Sequence, residues 1–134
     1  MAHEFARNIK DAALIITRAL PTADGTVTSS DFNLGSGTYR GENFELEIDV
    51  PELSATNLPS ADTLTLTVQA GASATPSTSA GIVFVITGTG STIATQKLRC
   101  RLPSNCGQYV NVKIVAAGGT GDMSAKSATL SLVF

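Results

Sequence analysis

Two carboxylates set two residues apart, Glu45 and Glu47, are the nearest this chain comes to a catalytic constellation. On an extended strand the side chains at i and i+2 share a face. A glycosidase needs two carboxyl groups converging on one bond, one to protonate the leaving oxygen and one to act as nucleophile or base. A sugar-cleaving groove also wants aromatic platforms, and the chain has five Phe, two Tyr and no Trp. The pair therefore reads as a solvated or salt-bridged face. His3 is the one histidine and lies within the first ten residues, so no Ser-His-Asp or Cys-His arrangement can be built from well-ordered positions. Gly88-Thr89-Gly90 lacks the third glycine of a dinucleotide-binding turn, and no Gly-Lys-Ser/Thr closes a phosphate loop. No Cys/His spacing suits zinc, and no Asp-x-Asp-x-Asp loop suits calcium. The expectation is a protein that is not an enzyme, with no catalytic residue, cofactor or metal.

The elements that carry these residues are strands. Phe44-Glu-Leu-Glu-Ile-Asp-Val50 sets Phe44, Leu46, Ile48 and Val50 against Glu45, Glu47 and Asp49. That period of two predicts a strand with one apolar and one wet face, closed by Pro51, which has no N–H to donate. Before it come a strand from about Ala12 to Leu20, stopped by Pro21, and a polar strand from Thr26 to Leu34, between Ala23-Asp24-Gly25 and Gly35-Ser36-Gly37. After it, a loop holding Pro51 and Pro59 leads to Thr63–Val68, with Leu64, Leu66 and Val68 inward and Thr63, Thr65 and Thr67 outward. Residues 71–81 are rich in Ala, Ser, Thr and Pro and predict a surface loop. Ile82–Ile86 is a short continuous apolar run, the pattern of a strand covered on both faces.

Thr95–Leu102 alternates again, with Gln96, Leu98, Cys100 and Leu102 on one face and Thr95, Lys97, Arg99 and Arg101 on the other. A hairpin centred near Pro103–Asn105 would leave Cys100 and Cys106 off register, so both are expected as thiols. Gln108–Val115, with Val110, Val112 and Ile114 inward, and Ser127–Phe134, with Ala128, Leu130, Leu132 and Phe134 on one face, complete the set. About eight strands separated by turn residues predict an all-β antiparallel sandwich or barrel. The expected organisation is an N-terminal arm over residues 1–11 and one β-sandwich over residues 12–134.

Charge bears on the topology. No charged residue lies between Asp62 and Lys97. The acidic ladder (Glu45, Glu47, Asp49) and the basic one (Lys97, Arg99, Arg101) sit on the third and sixth predicted strands. Those two strands are antiparallel neighbours in an eight-stranded jelly roll and do not touch in an up-and-down meander. Each favourable cross-strand pair contributes roughly 0.2–1 kcal/mol, so the jelly roll is favoured.

At 134 residues the chain can bury roughly two-thirds of its unfolded surface. Charged residues make up 15% and the net charge is −2, which leaves no basic footprint for nucleic acid. No apolar run approaches the ~20 residues of a membrane span. The run Ala12–Ile16 is too short for a secretory signal, so the expected place of synthesis is the cytoplasm.

Several segments together carry a resemblance. They are Asp11-Ala-Ala-Leu-Ile-Ile-Thr-Arg-Ala-Leu-Pro21, the Phe44–Pro51 strand, and Arg101-Leu-Pro-Ser-Asn105 leading into Tyr109-Val-Asn-Val112. Ala116-Ala-Gly-Gly119 and the terminal Leu-Ser-Leu-Val-Phe134 join them. They resemble the capsid cement (decoration) proteins of tailed bacteriophages, of the kind carried by a Bordetella podovirus. The resemblance spans nearly the whole chain, in short motifs that mark strands and turns; Cys106 departs from it, standing where a polar turn residue is expected.

The resemblance implies a jelly roll on the capsid exterior of a virion, made in a bacterial cytoplasm. It implies the major capsid protein and further copies of the chain, as dimer or trimer, as partners. No binding residue carries over from the family. The arm is expected to reach a neighbour through Phe5 and Ile9 as apolar anchors and Arg7 as a polar one. Two other readings stand beside this one: a head–tail or tail component, and a carbohydrate-binding β-sandwich.

Overall fold

The structure is a computed structural model that describes residues 10–35, 45–103 and 106–133, with the backbone alone for 10–13. Its strands are β1 (Lys10–Ala19), β2 (Thr26–Thr28), β3 (Phe32–Asn33), β4 (Glu45–Val50), β5 (Thr63–Gly71), β6 (Ser79–Thr87), β7 (Gln96–Arg101), β8 (Tyr109–Ala117) and β9 (Ser127–Val133). One sheet has the order β1-β9-β4-β7; the other has the order β2-β8-β5-β6, with β3 also on β8. Every pairing is antiparallel. The chain crosses between sheets at every connection except β2–β3 and β5–β6. That is a jelly roll, all-β and two-layered, as the alternating segments predict.

The core follows from the period of two. Leu46, Ile48 and Val50 of β4 face inward with Leu130 and Leu132 of β9. Leu64, Leu66 and Val68 of β5 do so with Val112, Ile114 and Ala116 of β8. Leucines and a methionine from the connections, Leu20, Leu53, Leu58 and Met123, join the same buried cluster. The connections are fixed by close backbone contact. Gly88, just past β6, donates to the Asp62 carbonyl at 2.8 Å, and a Cβ there would collide with the Pro59 carbonyl oxygen. Only glycine fits.

The predicted second strand is split. Ser29 is buried, and its Oγ accepts the Val112 N–H at 3.0 Å in the middle of the β8 ladder. A serine side chain standing in for backbone breaks the strand into β2 and β3. The predicted loop from Gly71 is shorter than expected, because β5 runs through Gly71 and β6 starts at Ser79. Buried Gln69 and Asn111 hold that loop, donating to the carbonyls of Ser77 (3.0 Å) and Pro76 (3.2 Å).

Three expectations are corrected. Glu47 does not lie on a wet face: it is 2% exposed, because β4 is an interior strand flanked on both sides by β7 and β9. Ile82–Ile86 is not covered on both faces: β6 is the edge of its sheet, and Val83 and Val85 are 52% and 57% exposed. Pro103 does not open a hairpin, since β7 and β8 belong to different sheets. Residues 1–9 of the expected arm and Phe44 lie outside the described residues, while Lys10 and Asp11, expected in the arm, belong to β1.

Candidate interaction surface

The two charged ladders are register partners. Glu45 faces Arg101, Glu47 faces Arg99 and Asp49 faces Lys97 across β4 and β7. Arg99 Nε donates to Glu47 Oε2 at 2.9 Å, and Lys97 Nζ lies 3.4 Å from Glu47 Oε1. Looser contacts join Lys97 to Asp49 and Arg99 to Glu45, both at 3.8 Å. Glu47 is the buried centre of this network, while Lys97 and Arg99 keep much of their side chains in water. Two cations aimed at one buried carboxylate leave the two glutamates in ion pairs across the sheet. Glu45 and Glu47 thus do structural work, as a salt-bridged face should.

Beneath that face, Cys100 of β7 sits opposite Leu46. Burial pushes its thiol up to about 11, outweighing a backbone hydrogen bond at Leu46 that acts the other way, and the Glu45 charge adds a smaller push upward. Cys100 and Cys106 are both thiols, as expected. At one end of the sandwich Asp24 ties the β1–β2 turn to the β8–β9 loop. Its Oδ1 accepts the Gly119 N–H at 2.8 Å and the Thr120 N–H at 3.0 Å, which holds its carboxyl below the usual range.

The outer face of the second sheet is of another kind. In register across it run Thr26, Val115, Thr65 and Val85, and then Thr28, Lys113, Thr67 and Val83. Lys113 is the one charge in those two rows. Val83 and Val85 at the β6 edge are two of the three exposed large apolar side chains among the described residues, with Ile15. Behind them, Ile82 and Phe84 are only partly buried against the core. Both faces of one edge strand are therefore apolar and incompletely covered.

The anchors expected in the arm, Phe5, Arg7 and Ile9, lie outside the described residues. The surface that the structure does present, Val83 and Val85, escaped the sequence reading. Its signal was there: an apolar run inside a long stretch without charge. Periodicity reads the run as a covered strand, because it does not distinguish an interior strand from an edge. Among the described residues, no group of three or more His, Cys, Asp or Glu side chains could hold a metal ion, and no helix is long and apolar enough to cross a membrane.

No family model and no curated protein matches the sequence. Among solved structures, the chain is similar to one of the cowpea mosaic virus top component, described as naturally occurring empty particles. The match has a TM-score of 0.47 and 10% identity, and covers 95% of this chain and 83% of that one. A likeness of that strength says nothing of function.

Proposed function

We propose that this chain is a structural protein of a virion, a cement or decoration protein that binds the outside of a bacteriophage capsid and bridges major capsid subunits. The observation that carries the reading is the sheet order itself, β1-β9-β4-β7 against β2-β8-β5-β6, in a chain whose segments resemble cement proteins. Jelly rolls of two Greek keys serve in viral capsids and in lectins. A lectin would want exposed aromatic rings for stacking on sugars. The exposed large apolar side chains among the described residues are Ile15, Val83 and Val85, none of them aromatic. The chain acts without catalysis, as a small oligomer whose individually weak contacts add through effective concentration. Its arm, with Phe5, Arg7 and Ile9, reaches a neighbouring subunit.

Purified protein mixed with capsids that lack it tests the proposal by sedimentation. The full chain should co-sediment and raise the temperature at which capsids rupture, and a chain starting at Asp11 should bind less well. Full-length protein that stays in the supernatant at micromolar concentration would sink the cement reading and favour the tail-component alternative.

A further inference from the structure

We propose that two copies of this chain pair edge to edge through β6, antiparallel, about a two-fold axis at Phe84. The basis is a self-complementary sequence on an unpartnered edge. Ile82-Val83-Phe84-Val85-Ile86 reads the same in both directions. Antiparallel pairing centred on Phe84 sets Phe84 against its own copy, Val83 against the partner's Val85, and Ile82 against the partner's Ile86. A two-fold interface must be self-complementary in this sense, and matched β-branched and aromatic pairs are the favourable cross-strand combinations.

The geometry is suitable. Ile82–Ile86 pairs with β5 on one side without a register shift, the irregularity falling earlier, between Ser79 and Ile82. Among the described residues, no backbone hydrogen bond reaches its other side. In an antiparallel ladder alternate residues point their N–H and C=O groups away from the existing partner, so the outer side of β6 offers a row of donors and acceptors. Natural proteins protect such edges with Lys, Pro or inward charges; residues 79–87 contain none of these. Pairing would also cover Val83 and Val85 on the outer face and Ile82 and Phe84 on the core side.

The self-complementary run makes a second copy the occupant, and charge selects β6 as the edge it uses. A two-fold at β6 brings no charged residue of the strand against its like, because none lies between Asp62 and Lys97. The same operation on β7, the edge of the other sheet, centred on Arg99, would set Arg99 against its own copy and Lys97 against the partner's Arg101. The remaining edges are unsuited. β1 carries Arg18 and a register shift between Lys10 and Ile15, and β2 and β3 are three and two residues long.

The inference rests on the proposed function only in that copies associate, and its test is separate. Sedimentation velocity of the full chain should give a concentration-dependent monomer–dimer equilibrium. Joining Val83→Lys with Val85→Lys gathers four ammonium groups at the two-fold, and like charges set together across an interface oppose association strongly. That variant should stay monomeric at concentrations about a hundredfold above the native midpoint, with the native circular dichroism spectrum. Joining Val83→Glu with Val85→Glu should do the same, and an equimolar mixture of the two variants should recover the dimer. A native monomer at all concentrations, a native trimer, or a lysine variant that dimerises like the native chain would each overturn the pairing. Capsid sedimentation reads the other proposal: a β6 dimer that leaves capsids bare loses only the cement role, and a monomer that binds them loses only the pairing.

Discussion

β4 and β6 exchange the roles their sequences suggest. Glu-Leu-Glu-Ile-Asp-Val alternates charge with hydrocarbon, yet β4 lies between two neighbours and buries Glu47 nearly as completely as Leu46 and Ile48. β6 holds an unbroken apolar run, yet it is an edge that exposes Val83 and Val85. Side-chain type fixes which residues share a face. Burial of the second face depends on how many strands flank the first, and that is set by sheet order. The charged strand can sit inside because its neighbour β7 brings the matching cations. The neutral strand can sit outside because no charge on it opposes a further partner.

The largest effect expected from this contrast comes from one substitution made in both strands. Leu46→Asp places an unpaired carboxylate in the core and should cost about 4 kcal/mol. Val85→Asp, on the exposed edge, should cost about 1 kcal/mol or less at dilution. Chemical denaturation of both variants is the measurement, and comparable losses would erase the distinction between interior and edge.

A smaller effect tests why β4 tolerates charge. Glu47→Lys and Arg99→Glu should each destabilise by about 2–3 kcal/mol, since each sets like charges together around a buried position. The double exchange should recover part of that loss, with a coupling of about 1–3 kcal/mol. Singles that merely add would mean that the pair, though in contact, does not stabilise the interior position of β4.

The smallest effect is a rate. With its thiol raised from 9.0 to about 11, Cys100 holds about a hundredfold less thiolate at neutral pH than an ordinary cysteine. Its labelling by a maleimide should be correspondingly slow and should rise with pH until about 11. Val85→Cys on the β6 edge, in chain diluted below the dimer midpoint, should label at the ordinary rate. Equal rates at pH 7 would mean that burial does not protect the Cys100 thiol.

Much of the fold was legible in the residues. Alternation at Leu64–Leu66–Val68, Val110–Val112–Ile114 and Ala128–Leu130–Leu132 marked strands and their inward faces. The opposed ladders of Glu45–Glu47–Asp49 and Lys97–Arg99–Arg101 pointed to two strands that pair, and so to jelly-roll order. Those signals are local, or are matches of opposite charge that survive any distance in sequence. What the sequence did not disclose was position within the sheets. Ser29 looked like one more polar residue of a strand until its Oγ was seen to take the Val112 N–H. Glu47 looked solvated, and Val83 and Val85 looked covered, because burial is a property of neighbours and the neighbours of β4 and β6 come from remote parts of the chain. Side-chain periodicity records which way each residue points; only the assembled sheets decide what stands there to meet it.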